Sequence, residues 1–418
     1  MLVNLERTRN VMAQYGLDIL IATHPHNVFY LSEFPLHPVY EGPPCLCLWN
    51  IPVHVILPLE KSIEPTIILP IIQLDYYYAC SSWIKDFRCY GEFYVFKAED
   101  ADPAKLTPLE RNLFNSYPPQ LEAVSDKPAT IIEILVNVID EKGLSKGRLG
   151  LDERGLTVDM FERIKHELSD ATILKASNHF FEIKMVKTSE EISRMRKAAE
   201  ININGIKAII ESISPGVTEK ELSKIYWRTV MEEVGLDKFY PGYNIIGGGG
   251  RSAFVLVPGW RYSEQPLKRG DFVRVDCEGL YRNYWTDIGR TMVIGQPKEK
   301  LKKYYAACRA GHEEAINTIA PREKASKIFY VAIEKIKKTI PHYRRPHIGH
   351  GIGIECYNPL LHLSPYCDLE LQENMVVNLE TPYFEIGTGG LNIEETILVT
   401  KKGCEDLSHG LSRELYVA

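Results

Sequence analysis

The sequence predicts an α/β domain followed by an α+β domain, and three observations support this. The chain has 418 residues, more than one ordinary hydrophobic core accommodates, so two domains are expected. Over residues 1–180, short apolar runs typical of strands alternate with segments whose apolar residues recur at helical spacing, which indicates an α/β layer. Over residues 181–418 the predicted order is a helix pair, a hairpin, a second helix pair and then strands, as in an α+β domain.

The first domain opens with a predicted helix over residues 5–15. Gly16 ends this helix, because glycine readily adopts the left-handed conformation that closes a helix, and a buried strand follows over 19–23. The same reasoning predicts further strands at 53–57, 66–69, 87–90 and 148–151, and helices at 129–142 and 158–168.

The second domain begins with two helices, each marked by a capping box. In both, a threonine is followed three residues later by a glutamate, so that the two side chains can satisfy backbone N–H groups at the helix start. Thr188 and Glu191 precede a predicted helix over 192–213, and the Thr218 box precedes one that ends at Gly235. The second helix pair is predicted at 300–318 and 324–338.

Composition excludes some classes of partner. A formal net charge of −6 and a pI near 6.1 give no reason to expect a polyanionic ligand, so we expect no nucleic-acid binding. No apolar stretch approaches the roughly 20 residues that span a bilayer, and the N-terminus lacks the pattern of a signal peptide, so we expect no membrane association. The nine cysteines form no CxxC pair and indicate reduced thiols in a cytoplasmic protein.

The segment from Arg274 to Thr291 is the most informative part of the chain. Asp276 and Asp287 lie eleven positions apart, beside two short apolar runs at 272–275 and 291–294. These runs are predicted to pair as a hairpin, with Glu278-Gly279 and Arg282-Asn283 as irregular or turning segments. Both carboxylates are then able to face one pocket.

Buried carboxylates predict a metal ion, because burying their charge costs several kcal/mol unless a cation offsets it. Three further hard ligands, His350, Glu380 and Glu394, each follow apolar or glycine-rich sequence typical of strands. Two Asp, two Glu and one His suit a pair of divalent ions, with Mn favoured and Co, Fe or Zn also suitable.

The order and flanking sequence of these five residues resemble the creatinase/prolidase/methionine-aminopeptidase family. The resemblance extends over nearly the whole chain and implies a creatinase-like N-terminal domain at 1–180, followed by a "pita-bread" catalytic domain at 181–418. The stretch from Gly16 to Ser32 is similar to the opening of the creatinase-type domain, which in the family serves as a dimerisation and lid element. The resemblance therefore implies a homodimer.

The resemblance also implies a role for each ligand. Asp276 is expected as a terminal ligand, Asp287 and Glu394 as bridges between two ions, and His350 and Glu380 as the ligands that complete the second ion. A water held between two cations loses much of its affinity for its proton, so a hydroxide becomes available to attack an amide carbonyl. Glu380 is the expected general acid/base.

Several positions depart from the family pattern. Family peptidases usually carry a histidine shortly before the first Asp, where this chain has residues 258–266, and another at the position of Tyr357. Asn392 stands where an arginine is frequent. Tyr357, Arg261 or Tyr262 is expected to donate hydrogen bonds in place of the missing histidines, and His347 is expected to line the pocket.

Glu278 is the other departure, because it stands where the family usually has glycine. The sequence leaves three roles open for it: an additional metal ligand, a partner for a cationic group of the substrate, or a residue of a surface turn.

Three classes of function follow from these observations. The first is a metal-dependent hydrolase that resembles Xaa-Pro dipeptidases and aminopeptidases and acts on a short peptide. The alternative keeps the metals but acts on a non-peptide small molecule, as creatinase-like C–N hydrolases and a dimethylsulfoniopropionate lyase do. The third is a non-catalytic binding module on the same fold, which the complete ligand set disfavours.

Overall fold

The computed structural model describes residues 2–34, 52–80, 82–92, 98, 101–116, 129–234 and 239–418. The chain divides into two compact units, Met1–Ile183 and Lys184–Ala418. Each unit has its own sheet. No helix within the described ranges is long and apolar enough to cross a bilayer.

The first unit is built on a mixed sheet with strand order β4-β3-β2-β1-β5-β6. β1 pairs antiparallel with β2 and parallel with β5, which confirms the predicted α/β layer. Its strands are β1 (Ile19–Ala22), β2 (His54–Pro58), β3 (Thr66–Pro70), β4 (Asp86–Tyr90), β5 (Arg148–Leu151) and β6 (Thr172–Lys175). Its helices are α1 (Leu5–Gln14), α2 (Pro25–Ser32), α3 (Leu74–Ala79), α4 (Pro108–Ser116), α5 (Ile131–Glu141), α6 (Val158–Glu167) and α7 (Ser177–Met185), whose last two residues belong to the second unit.

Helix α5 shows why the sheet of the first unit is stable. A capping box formed by Thr130 and Glu133 begins the helix, as both hydrogen bonds of the motif are present. Its buried residues recur at the spacing of one helix face and share a hydrophobic core with isoleucines of β1, β2 and β3. That core contains Ile19, Ile21, Ile56, Ile68, Ile131, Ile132, Leu135, Val138 and Ile139.

The second unit contains a larger sheet with strand order β11-β10-β12-β15-β9-β8-β7, to which β16 and β17 add at β15 and β9. The strands are β7 (Phe239–Gly248), β8 (Phe272–Tyr281), β9 (Tyr284–Val293), β10 (Gly349–Gly351), β11 (Asn358–His362), β12 (Val376–Glu380), β13 (Tyr383–Glu385), β14 (Gly389–Leu391), β15 (Glu394–Val399), β16 (Cys404–Asp406) and β17 (Tyr416–Val417). β13 and β14 form a separate pair. The helices are α8 (Ser189–Ser212), α9 (Glu219–Val234), α10 (Val257–Trp260), α11 (Glu299–Thr318) and α12 (Ala325–Lys337).

Helices α8, α11 and α12 of the second unit pack on one face of its sheet. Leu379 of β12 and Ile397 of β15 share a hydrophobic core with residues of α11 and α12. On the same face, Tyr284 of β9 donates a hydrogen bond to Glu191 of α8. The capping box predicted for α8 is present, whereas the predicted helix end at Gly235 lies outside the described residues. The opposite face of the sheet carries a different set of side chains.

The predicted hairpin is confirmed, but one of its predicted turning segments is wrong. β8 and β9 are joined by Arg282 and Asn283 alone, whose φ angles of 47° and 69° suit the left-handed turn that matches strand twist. Glu278 and Gly279 lie inside β8, opposite Asp287 and Thr286. The strand continues through these polar and small residues because all of β9, its partner, is buried and extended.

A buried ionic network stands on the helix-covered face of the sheet. Glu395 of β15 accepts hydrogen bonds from Arg290 of β9 at 2.7 Å, from Arg413 at 2.9 and 2.8 Å, and contacts His312 of α11 at 3.1 Å. Burial alone would raise the pKa of Glu395, but the hydrogen bond from His312 and the charges of His312, Arg290 and Arg413 lower it to about 2. Glu395 is therefore ionised and fully compensated.

Replacing Glu395 by alanine is expected to destabilise the fold strongly. The change leaves the buried Arg290 guanidinium without its counter-charge, and breaking one side of a buried ion pair typically costs about 3–5 kcal/mol. The measurement is the free energy of unfolding in urea. The matched control is Glu200→Ala, which removes a solvent-exposed pair with Lys197 and should cost at most about 1 kcal/mol. Similar losses for the two variants would contradict this account.

His54 makes the stability of the first unit sensitive to acid. It is fully buried in β2, neither ring nitrogen has a hydrogen-bond partner among the residues that the structure describes, and burial lowers its pKa from 6.5 to about 4. The unfolded chain therefore takes up a proton on this ring below pH 6.5, while the folded chain does so only near pH 4. Stability should fall by about 3 kcal/mol as pH falls across this window.

The measurement is the free energy of unfolding at several pH values between 7 and 4, compared between the wild type and His54→Leu. The variant should show a shallower decline, because it lacks the titrating ring. His166→Leu, which changes an exposed histidine of α6, should follow the wild-type profile. Parallel profiles for the wild type and His54→Leu would show that His54 does not contribute.

Candidate metal centre

The strand register of the second unit gathers acidic side chains in a row on the face opposite α8, α11 and α12. Asp276 on β8 pairs with Gly289 on β9, Gly289 pairs with Glu394 on β15, and Glu394 pairs with Glu380 on β12. Directly paired residues of antiparallel strands point to the same side of the sheet. Asp276, Glu394 and Glu380 therefore lie in one row across four strands, with Gly289 as its small member.

A second row runs parallel to the first and is displaced from it by two residues on each strand. On β8 and β9, Glu278 pairs with Asp287. On β12 and β10, Asn378 pairs with His350. Because side chains two residues apart in a strand share a face, both rows face the same side. Thr396 connects the two halves of this row, as its hydroxyl bonds to the backbone N–H and carbonyl of Asp287.

Three of the predicted ligands converge. Asp276, Asp287 and Glu394 each place a carboxylate oxygen so that the three atoms lie within 4.8 Å of one another. Glu394 is oriented by two side-chain amides: Asn378 donates to one carboxylate oxygen at 2.6 Å and Asn392 to the other at 2.7 Å. The position of the cluster is therefore fixed by neighbours that are themselves buried.

The electrostatics of this cluster are those expected of a cation site. Burial raises the pKa of Asp287 and of Glu394 well above the usual range, and the negative charges of neighbouring carboxylates raise both further. Burial also raises the pKa of Asp276, against the opposing charge of Arg274. The Oδ1 atom of Asp287, a residue only 5% exposed, has no hydrogen-bond partner among the described residues. A divalent cation fits these oxygens and would offset their charge.

Arg274 holds Asp276 in place. Its side chain is fully buried and donates to the backbone carbonyls of Ser252, Phe254 and Val255 at 3.1, 2.8 and 3.2 Å. One remaining N–H group donates to Asp276 Oδ2 at 3.2 Å. Arg274 thus positions one oxygen of Asp276.

Glu380 and His350 stand beside this cluster, but their ligand atoms are not among its three converging atoms. Glu380 Oε1 accepts a hydrogen bond from Arg345 at 3.0 Å and lies 3.3 Å from Nδ1 of His347. Burial lowers the pKa of His350 to about 4, so this ring is neutral near pH 7, which is the form that binds metals. Tyr357 packs against His350 with ring centroids 4.9 Å apart and is 45% exposed.

A second group of potential ligand atoms consists of Glu278, Asp287 and Cys356, which also lie within 4.8 Å of one another. The expectation that Glu278 belongs to a surface turn is therefore wrong, because the residue lies in a central part of the hairpin opposite Asp287. Burial and the charges of Glu278 and Asp287 raise the pKa of the Cys356 thiol well above its usual range.

The remaining predicted residues have varied surroundings. Asn392 is buried and bound to Glu394. Tyr262 donates its hydroxyl to the backbone carbonyl of Asn244 at 2.8 Å. Arg261, whose side chain is exposed, follows helix α10, and its carbonyl accepts a hydrogen bond from Arg251 at 2.6 Å.

Four residues of the site were not predicted: Arg274, Arg345, Cys356 and Asn378. Two of them carried a detectable signal, because Arg274 lies two residues before Asp276 and Asn378 two before Glu380, on the same faces of their strands. Cys356 and Arg345 lie outside the strands, and no periodicity indicates where their side chains point.

Comparison with known proteins agrees with this geometry. Residues 193–401 match Metallopeptidase family M24, a span of half the chain. The Xaa-Pro dipeptidase of Pyrococcus furiosus is 32% identical over 259 residues, which cover 61% of this chain and 72% of that relative.

Solved structures share the fold of the whole chain. The Xaa-Pro dipeptidase of Bacillus anthracis superposes with a TM-score of 0.76 at 22% identity and covers 99% of both chains. The prolidase of Pyrococcus furiosus gives 0.70 at 25% identity, with 96% of this chain and 98% of that one covered. The architecture is therefore an N-terminal α/β domain joined to a pita-bread domain. With acidic side chains gathered on one face of the pita-bread sheet, the chain belongs to metallopeptidase family M24 and is a metal-dependent hydrolase of the peptidase type.

Proposed function

We propose that the protein is a dinuclear-metal-dependent hydrolase that cleaves the bond before proline in short Xaa-Pro peptides. The observation that carries this proposal is the convergence of Asp276, Asp287 and Glu394 in a buried cluster whose Asp287 Oδ1 lacks a partner among the described residues. The names of the relatives, Xaa-Pro dipeptidases, support the choice of substrate.

The proposed ligands are the five predicted residues. Asp276, Asp287 and Glu394 supply the converging oxygens, and the neutral ring of His350 and the carboxylate of Glu380 stand next to them in the two rows. Divalent cations bound there would supply a Lewis acid for the scissile carbonyl and lower the pKa of a bound water. Manganese is proposed because carboxylate oxygens predominate in the set, and cobalt, iron and zinc also suit it.

In this proposal the protein's own residues orient the carboxylates and handle the proton of the reaction. Asn378, Asn392 and Arg274 orient the carboxylates before any ligand binds. Glu380 Oε1 takes up or returns the proton of the reaction, and His347 Nδ1, 3.3 Å away, is positioned to share it. Burial lowers the pKa of His347, so the ring is able to accept a proton.

Tyr357 is the proposed donor to the reacting carbonyl. It is partly exposed beside His350, whereas the Tyr262 hydroxyl is directed to the carbonyl of Asn244 and Arg261 extends into solvent. A phenolic O–H group of this kind can stabilise the charge that develops on the carbonyl oxygen.

Glu278 favours a second candidate function, the hydrolysis of a small non-peptide amide or C–N bond, or a lyase reaction. Its carboxylate adds negative charge next to Asp287, in a position where family peptidases usually have glycine. A cationic small substrate would be favoured by this additional charge.

We also propose a homodimer in the cytoplasm. The dimer follows from the creatinase-like character of residues 1–180, and light scattering of the purified protein tests it. The compartment is supported by the described cysteines, Cys80, Cys89, Cys277, Cys308, Cys356, Cys367 and Cys404, all of which are free thiols.

The peptidase proposal is tested with a panel of Xaa-Pro dipeptides and Xaa-Pro-Xaa tripeptides, using metal-stripped protein with and without added Mn²⁺. We expect cleavage only with metal, and Asp287→Asn should lower it by about a thousandfold or more, because several kcal/mol of charge stabilisation are lost. Asp159→Asn, on the exposed surface of α6, is the control and should retain activity.

Two outcomes would contradict the proposal in different ways. Bound Mn²⁺ without peptide cleavage would favour the non-peptide substrates, and small amides and sulfonium compounds would be tried next. A protein that takes up no metal would instead indicate a binding module.

Gly289 provides a test of the carboxylate row in which no proposed ligand residue is replaced. A Cβ atom at this position would lie 2.2 Å from Asn392 Nδ2 and 2.9 Å from Glu394 Cβ, so Gly289→Ala must displace both side chains. We expect metal affinity to fall about 10- to 100-fold, as when residues that support metal ligands are changed. Gly250→Ala, where the added atom meets nothing within 4 Å, should leave affinity unchanged, and equal affinities for both variants would contradict the geometry.

A further inference from the structure

The group formed by Glu278, Asp287 and Cys356 has the spacing of a metal site. Its three ligand atoms lie within 4.8 Å of one another. Metal–oxygen distances of about 2.0–2.2 Å and a metal–sulfur distance of about 2.3 Å place the ligands of one ion roughly 3–4.5 Å apart. Small side-chain rotations therefore suffice for one ion to contact all three.

The backbone around Glu278 is shaped to admit its carboxylate. A Cβ atom at Gly242 of β7 would lie 2.8 Å from Cβ and 2.9 Å from Oε2 of Glu278, and 2.3 Å from the ring of Trp285. The backbone of β7 can lie this close to Glu278 only because residue 242 is glycine. On its other side, the position of Glu278 is limited by Asp287, its direct partner across the hairpin.

The segment that carries Cys356 is attached to the strand that carries Asp287. The backbone N–H of Trp285, in β9, donates to the carbonyl of Gly353 at 2.8 Å, and the N–H of Gly353 donates to the carbonyl of Glu355 at 3.0 Å. Glu355 is in turn ion-paired with Lys184, which is almost fully buried. These contacts fix the thiol beside Asp287 rather than leaving it on a free surface.

Asp287 supplies an independent indication of a ligand. The residue is 5% exposed, its Oδ1 atom has no donor within the described part of the chain, and its Oδ2 atom has only a long contact of 3.4 Å with Asn378. A buried carboxylate oxygen without a donor is costly unless a cation contacts it. Asp287 belongs to both groups of ligand atoms, so it can serve one ion in each.

We propose that Glu278, Asp287 and Cys356 form a thiolate-containing position for a zinc or cobalt(II) ion, which shares Asp287 with the carboxylate cluster. On binding, the S–H bond of Cys356 breaks, a bond forms between Sγ and the cation, and the proton leaves to solvent. A thiolate favours zinc and cobalt over manganese. Of the three roles expected for Glu278, this assigns the metal ligand. The inference rests on the proposed metal centre for Asp287, but not on the substrate being a peptide.

Cobalt(II) absorption spectroscopy tests the proposal without reference to activity. Metal-stripped wild-type protein titrated with Co²⁺ should develop a thiolate-to-cobalt charge-transfer band in the near ultraviolet as well as the visible bands of the bound ion. Cys356→Ser should lose the charge-transfer band and keep visible bands from cobalt held by Asp276, Asp287 and Glu394. Visible bands without a charge-transfer band in the wild type, or a charge-transfer band that persists in Cys356→Ser, would overturn the proposal.

Two further variants separate ligation from folding. Glu278→Gln should retain the charge-transfer band but weaken cobalt binding by about 10- to 100-fold or more. Cys404→Ser changes another half-buried cysteine, located in β16, and should leave both spectrum and affinity unchanged. Loss of the charge-transfer band in Cys404→Ser would assign the thiolate elsewhere and overturn the proposal.

A measurement on the wild type alone covers the case in which Cys356→Ser does not fold. Zn²⁺ should slow alkylation of Cys356 by iodoacetamide about tenfold or more, since the bond to the cation occupies the sulfur lone pair that attacks the reagent, while alkylation of Cys404 stays unchanged. Equal alkylation of Cys356 with and without Zn²⁺ would overturn the proposal. Failure to cleave Xaa-Pro peptides would leave these results intact and reject only the proposed substrate.

Discussion

The structure of the second unit depends on how carboxylates are buried in its sheet. Glu394 and Glu395 are consecutive residues of β15 and therefore point to opposite faces. Glu395 faces the helices and is compensated by Arg290, Arg413 and His312, which lower its pKa to about 2. Glu394 faces Asp276 and Asp287, and burial among like charges raises its pKa well above the usual range. One face neutralises its carboxylate with the protein's own cations, and the other leaves the charge of its carboxylates without such compensation.

This division is consistent with the way the proposed ligands are held, by amides and by one arginine rather than by many positive charges. Asn378 and Asn392 orient Glu394 without neutralising it, so the negative charge that attracts a metal remains. Arg274 contacts only one oxygen of Asp276 and is otherwise engaged with backbone carbonyls. A lysine or arginine at the position of either asparagine would satisfy the carboxylate and compete with the ion.

Much of the fold was predictable because its signals are local. The capping box at Thr188 and the paired runs around Asp276 and Asp287 depend on neighbours in sequence, and the structure contains the helix and the hairpin that they predict. The edge strand β6 was missed, because its residues are only half buried and lack a long apolar run. Glu278 was ambiguous because turn-formers follow it, and only the pairing of β8 with β9 shows that the strand continues.

The surroundings of the ligands were less predictable, for a physical reason. Contacts such as that of Arg345 with Glu380, or the approach of Cys356 to Asp287, join segments that are distant in sequence and not related by strand periodicity. Their positions depend on the paths of loops, which obey no simple repeat. The fold places the cluster, while the chemistry of the pocket depends on individual side chains around it, such as Tyr357, Glu278 and Cys356.

The two-residue turn at Arg282 and Asn283 has a consequence for the position of the acidic side chains. The turn sets the register of β8 against β9, and the side-chain period of a strand is two, so one inserted residue would move Asp287 to the face occupied by Arg290 and Glu395. Such an insertion would remove Asp287 from the carboxylate cluster and add an uncompensated charge to a packed interior. The length of this turn therefore constrains the carboxylate cluster as directly as the acidic residues do, although neither of its side chains belongs to that cluster.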